Sequence, residues 1–169
     1  MQFKHGVIIY NPSRVKLKTG GLTGEMSNNC VFCKIVKGDI KPHIIFEDEK
    51  TIAFLDAYPL AKGHTLIVPK IHVSKLEQLD EKIVEAFFRT IHKLIEPIQE
   101  SVDAQATTIG INNGKESGQD IPHVHAHIIP RFEGDNGGSL HSIMRHRPRI
   151  SQEKILEIAR KIRILIVMD

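Results

Sequence analysis

Three histidines, His123, His125 and His127, recur at strict two-residue spacing between Pro122 and Pro130. In a β-strand successive side chains alternate faces, so the spacing predicts all three imidazoles on one side and Val124, Ala126 and Ile128 on the other. The prolines would bracket the strand, because proline is tolerated at strand ends but not inside a paired strand. Imidazole serves as base, nucleophile or metal ligand near neutral pH with little tuning. A histidine-rich tract can also be a metal-binding tail or a solvated face, but the aliphatic alternation argues against a floppy tail.

Cys30 and Cys33 are the only cysteines and form a C-x-x-C pair. The pair alone admits three chemistries: a redox-active dithiol, a disulfide, or half of a zinc site. A structural zinc needs four N or S ligands, so the last reading requires two more donors from elsewhere in the chain.

These groups must be positioned by the elements around them. Residues 34–37 continue a short helical turn that Gly38 stops. Short strands are predicted over His43–Glu47, Thr51–Leu55 and His64–Pro69, with Asp56–Gly63 as a loop. Asp80 is the N-cap of a long helix whose apolar stripe carries Ile83, Phe87, Ile91, Leu94, Ile98 and Val102. Phe88 and Ile95 widen that stripe, enough for it to cover both a sheet and a second subunit, and Pro97 should kink the helix. Thr107–Asn112 reads as a strand, and residues 113–119 as a glycine-bearing loop leading into the histidine run. A terminal helix over 151–167 carries Ile155, Ile158, Ala159 and Ile162. Strands joined by hairpin-length links around one long helix give an α+β class with an antiparallel sheet.

The chain has 169 residues, 41% hydrophobic and 25% charged, with net charge +3. That fits one core-forming domain. No apolar run approaches the roughly 20 residues of a membrane helix, and Val7–Tyr10 is too short for a secretory signal. A cytoplasmic protein with no membrane partner is expected. The net charge is too modest to imply nucleic-acid binding. Basic residues do cluster, as Lys4, Arg14, Lys16 and Lys18 at one end and Arg145, Arg147 and Arg149 at the other. Such flanks attract phosphate-bearing ligands or serve as solvated tails. Residues 1–26 read as an appendage, either a basic extension whose Val7–Tyr10 adds a strand or an over-long start before Met26. The main domain then spans 27–145, followed by a basic linker and helix over 146–169.

The run His123–Ile129 resembles the signature of the histidine triad (HIT) superfamily. The resemblance continues in order through Cys30–Asp39, Ala53–Asp56, Gly63–His72, Asn112–Gln119 and Gly137–Ser142, segments similar to its Hint/Hit branch. It implies a HIT-like fold, an antiparallel sheet with one long and one short N-terminal helix, here with a C-terminal helix appended. It implies a hydrolase or transferase attacking the α-phosphate of purine nucleoside 5′-phosphoramidates or related conjugates. His125 would be the nucleophile, forming a covalent nucleotidyl intermediate later released by water. A backbone carbonyl close to His127 would hold its tautomer. His64 and His127 would line the phosphate, as would Asn112, Gln119 and backbone N–H groups of the loop Gly114–Gln119. Asp56 would bind the ribose hydroxyls, and Phe32 and Phe54 would help form the base pocket. The resemblance also completes the C-x-x-C set, giving Cys30, Cys33, His72 and His123 as ligands of a structural Zn2+. Members of this branch are usually homodimers joined through the long helix and a strand edge. The segment after Gly138 influences substrate choice in the family, and here it lacks a tryptophan. Rival readings are a diadenosine polyphosphate hydrolase, a non-catalytic nucleotide-binding or interaction protein, and, more distantly, a zinc-regulated redox protein.

Overall fold

A computed structural model describes residues 26–143 and 148–167. The expectations for residues 1–25, Arg145 and Arg147 therefore lie outside the described residues. The chain forms two compact units that divide between Glu133 and Gly134.

The first unit opens with helix α1, Val31–Lys37. Gly38 ends it as expected: at φ 85° its N–H bonds the Ile35 carbonyl, and Asp39 N–H reaches back to Lys34. Glycine reaches this left-handed conformation without a Cβ penalty. Strands β1 (Ile44–Glu47), β2 (Thr51–Leu55) and β3 (Thr65–Pro69) follow. Helix α2 spans Glu81–Ser101, and the Asp80 carboxylate accepts from the N–H groups of Lys82 and Ile83. It runs through Pro97 without ending. Pro97 lies on the exposed side, where water can serve the Lys93 carbonyl that loses its helical partner. Strands β4 (Ala106–Gly110) and β5 (Ala126–Arg131) complete an antiparallel sheet of order β1-β2-β3-β5-β4.

The period-2 pattern of the strands sorts side chains to two faces. On one face Ala53, Ile67, Ala126 and Ile128 pack with Ile83, Phe87, Ile91, Leu94 and Ile98 of α2. On the other, Ile52, Phe54, Leu66 and Val68 pack with Cys30, Phe32, Cys33 and Ile35 around α1. A Thr51–Thr90 hydroxyl pair at 2.9 Å ties β2 to α2.

The histidine run departs from the strand expected over 123–129. β5 begins at Ala126 and contains Pro130, which opposes Thr107. Pro130 is accommodated because the β3 ladder ends at Thr65–Ile128, leaving only β4 beside it. His123 and His125 precede the strand in a bend, where His123 N–H bonds the Ile121 carbonyl and Val124 N–H bonds Val73. The alternation of faces survives the bend, since Val124 joins Ala126 and Ile128 in the α2-side core.

The second unit contains a 3-10 turn at Leu140–Ser142 and helix α3, Gln152–Val167. Ile155, Ile158 and Ile162 of its expected stripe are exposed. No helix among the described residues is long and apolar enough to cross a membrane.

Candidate active site and metal centre

α1, the segment after β3 and the bend before β5 converge on one cluster. Cys30, at the N-cap of α1, and Cys33, one turn later, meet His72 and His123 with all four donor atoms within 4.8 Å of one another. His123 Nδ1 lies 3.5 Å from Cys30 Sγ, 3.7 Å from Cys33 Sγ and 3.3 Å from His72 Nδ1. Cys33 Sγ lies 3.3 Å from His72 Nδ1. A tetrahedral zinc with ordinary Zn–S and Zn–N bonds has N–N edges of about 3.3 Å and S–N edges of about 3.6 Å. The donor set therefore has both the chemistry and the dimensions of a closed four-ligand zinc site.

Its surroundings orient the ligands. His123 Nε2–H donates to the Pro69 carbonyl at 2.9 Å, which leaves Nδ1 as a lone pair aimed at the cluster. Burial pushes the His123 pKa down to about 4, against the pull of the Pro69 carbonyl, so the ring is neutral at pH 7. Burial raises the Cys33 thiol above its ordinary pKa, with Cys30 beside it adding to the rise. A divalent cation among these donors would reverse that preference.

His125 and His127 stand alongside, their rings 5.0 Å apart. His125 Nδ1–H donates to the His123 carbonyl at 2.7 Å. The acceptor expected close to His127 is thus supplied by the first histidine, because the bend carries the His123 carbonyl to the His125 ring. The bond leaves His125 Nε2 with its lone pair unprotonated, the nucleophilic form of imidazole. The Phe32 ring meets His125 edge-on at 5.1 Å and Phe54 at 5.9 Å.

A second chain of hydrogen bonds fixes His127. Leu60 N–H donates to His64 Nδ1 at 3.1 Å, so the His64 proton sits on Nε2, which is 2.9 Å from His127 Nδ1. His127 Nδ1 must then accept, and its own proton sits on Nε2. Burial pushes the His127 pKa down to about 4, with His125 and His64 adding to the fall and Asp56 opposing it. Burial also lowers His64, again against Asp56, whose Oδ2 is 3.4 Å from His64 Nδ1. Both rings are neutral at pH 7, and His127 presents an N–H.

The remaining expected residues divide. Asp56 is partly exposed, and its Oδ1 accepts from Tyr58 N–H. Asn112 is exposed and donates to the Gly118 carbonyl at 3.3 Å. Gln119 is committed elsewhere: its Oε1 accepts from Gly114 N–H at 2.7 Å, and its Nε2 donates to the Ser74 carbonyl at 2.8 Å and the His123 carbonyl at 3.4 Å. The loop expected to offer backbone N–H groups has bonded those of Ser117, Gly118 and Gln119 to its own carbonyls.

Two contributors carry no sequence signal of their own. The Leu60 amide acts through its backbone, which no side-chain motif marks. Gly110 opposes His127 across the β4–β5 ladder, and a Cβ there would meet nothing within 4 Å. It leaves open space on the face that carries the histidine.

The HIT domain family model matches residues 37–134. The chain belongs to the HIT family. An uncharacterized HIT-like protein of Methanocaldococcus jannaschii is 42% identical over 106 residues, covering 63% of this chain and 81% of the relative. An adenosine 5'-monophosphoramidase of Schizosaccharomyces pombe is 38% identical over 110 residues, 64% of this chain and 79% of the relative. Among solved structures, a Streptococcus mutans protein superposes with TM-score 0.75 at 31% identity over 95% of this chain and 99% of that one. A Zn-bound histidine triad family protein from Mycobacterium smegmatis superposes at 0.61 with 32% identity, over 75% of this chain and 87% of that one.

Proposed function

We propose that this protein hydrolyses purine nucleoside 5′-phosphoramidates, or closely related nucleotidyl conjugates, through a covalent nucleotidyl intermediate on His125. The observation that carries the proposal is the pair of tautomers, His125 held with Nε2 unprotonated and His127 held with Nε2–H. One supplies an electron pair for phosphorus and the other a hydrogen-bond donor for the phosphoryl group.

In the first step His125 Nε2 forms a bond to the α-phosphorus while the bond to the leaving amine breaks, and the amine nitrogen takes up a proton from solvent. The imidazole becomes cationic, and its Nδ1–H bond to the His123 carbonyl stabilises that charge where it develops. In the second step water adds to phosphorus and gives up a proton to solvent, the N–P bond breaks, and the electron pair returns to Nε2. His127 Nε2–H stabilises charge on the phosphoryl oxygens in both steps. Asp56, at the rim of the same group, receives the ribose, and Phe32 and Phe54 wall the base. Asn112, on the loop leading to the site, offers its amide to the phosphate. The adenosine-acting relative from Schizosaccharomyces pombe supports the choice of substrate class.

Cys30, Cys33, His72 and His123 would hold a structural Zn2+, which cross-links α1, the segment after β3 and the bend before β5. The Zn-bound relative supports the metal's identity. A closed set of four protein ligands leaves no coordination position for substrate. A homodimer formed through α2 and the β4 edge is supported by exposed Phe88 and by β4 lying at the end of the sheet. A cytoplasmic setting, which keeps thiols reduced, would keep Cys30 and Cys33 available as metal ligands.

The test is release of nucleoside monophosphate from adenosine 5′-phosphoramidate and diadenosine tetraphosphate in parallel, with His125→Ala as control. Faster phosphoramidate turnover that the substitution abolishes supports the proposal. Faster tetraphosphate turnover replaces it with the polyphosphate reading. Tight AMP binding with turnover of neither leaves a binding protein.

A further inference from the structure

Gln119 lies four residues before the first histidine, and its side chain ties its own loop to two other segments. Both amide donors and one lone pair of its oxygen are engaged by the protein. Its oxygen accepts from Gly114 N–H at 2.7 Å, its amide donates to Ser74 at 2.8 Å, and the same amide lies 3.4 Å from the His123 carbonyl. A primary amide carries two N–H donors, so both are spent without a ligand. The segment it braces is the one that sets the nucleophile. The His123 carbonyl is the atom that holds His125 Nδ1–H at 2.7 Å, and the next amide, Val124 N–H, bonds Val73, the neighbour of Ser74. Gln119 and the Val124–Val73 bond together fix the orientation of the His123–Val124 peptide from both sides.

We propose that Gln119 is a positioning residue for His125, not a ligand of the substrate's phosphate. It closes the loop Gly114–Gly118 against Ser74 and aims the His123 carbonyl at His125 Nδ1. Without it the peptide can turn away, His125 loses the acceptor that selects its tautomer, and the nucleophilic Nε2 lone pair is no longer guaranteed. This inference rests on the assignment of His125 as nucleophile.

Gln119→Met keeps the side chain's length and removes every hydrogen bond. The structure predicts a fall in kcat for adenosine 5′-phosphoramidate of roughly 10- to 100-fold, the size expected from misplacing a reacting group, with AMP affinity unchanged within about threefold. It also predicts that nitrogen NMR of the zinc-loaded protein changes from a single Nδ1–H tautomer of His125 to a mixture. Gln119→Glu, which retains the acceptor for Gly114 but loses both donors, should show the same mixture and serves if Gln119→Met does not fold. A single tautomer retained in both variants overturns the proposal, as does AMP affinity that falls as far as kcat, the result for a phosphate ligand. The tautomer is read without turnover, so failure of the nucleophile assignment, seen as activity surviving in His125→Ala, is distinguished from failure of this one.

Discussion

The backbone carbonyl of His123 accepts the Nδ1 proton of His125 at 2.7 Å, while the ring of the same His123 points its own Nδ1 at Cys30 and Cys33. One residue therefore belongs to both centres, by its side chain to the Cys/His cluster and by its main chain to His125, the proposed nucleophile. Disturbing the cluster should be felt at His125 through a single peptide unit.

His125→Ala tests the proposed nucleophile directly. Turnover should fall by roughly 10³-fold or more, with AMP binding retained, since the lost interaction belongs to the reacting group. The ring is buried, at 6% exposure, packs against Phe32 and bonds His123. Its loss should therefore destabilise the fold by about 1 kcal/mol, the usual worth of one buried hydrogen bond. Denaturant melts of both proteins give the second number.

Cys30→Ser removes one donor from the buried set of four. Zinc content measured on the purified protein should drop from about one per chain, and the thermal midpoint should fall with it. A metal that binds only the folded chain stabilises it by about 2.7 kcal/mol at a free concentration of 100 times its Kd. An unchanged zinc content in the variant would refute the four-ligand assignment. Chelation of the wild type should reproduce the stability loss.

Much of this arrangement was legible in the residues. Alternation placed Val124, Ala126 and Ile128 in the core beneath α2, and Asp80 and Gly38 bounded their helices as their chemistry requires. The C-x-x-C pair, His72 and His123 were brought together as the resemblance implied. What escaped was carried by main chain and by absence. Pro130 reads as a strand terminator, yet it sits inside β5 because β3 stops short beside it, a tertiary fact. The tautomer of His125 depends on where a bend delivers one carbonyl, and side-chain types do not encode that. The partners of Gln119, which are Gly114, Ser74 and His123, lie on segments that its residue type does not point to.

Gly110→Val tests whether the open space beside His127 receives substrate. Valine suits a strand and its Cβ would meet no heavy atom within 4 Å, so stability should change by less than about 0.5 kcal/mol. The methyl groups would project on the histidine face and occupy ligand space. KM should rise about tenfold with kcat less affected, the signature of lost uniform binding. Unchanged KM would place the substrate elsewhere.

Asp56→Asn bears on the ribose. Asp56 Oδ1 already accepts from Tyr58 N–H, so Oδ2, 3.4 Å from His64, is the oxygen left for a sugar hydroxyl. A hydrogen bond to a charged acceptor is worth about 1.5–3 kcal/mol. The substitution should weaken AMP more than deoxy-AMP and shrink the preference between them. Equal weakening of both would remove Asp56 from ribose recognition.

His64, which is buried, and His127, which is half-buried, also set a pH dependence of stability. Burial lowers the pKa of His64 and takes that of His127 to about 4, whereas the unfolded chain protonates both near 6.5. Between those values the unfolded state binds more protons than the folded one, so acid favours unfolding. The stabilisation is fully present above the unfolded pKa and is lost as pH falls from about 6.5 toward about 4. Urea midpoints of the zinc-loaded protein should therefore decline across that window. His127→Gln removes one of the two groups and should give a shallower decline. An identical slope in the variant would mean that His127 is protonated in the folded protein at the same pH as in the unfolded chain, and the relay from Leu60 through His64 would not hold its tautomer.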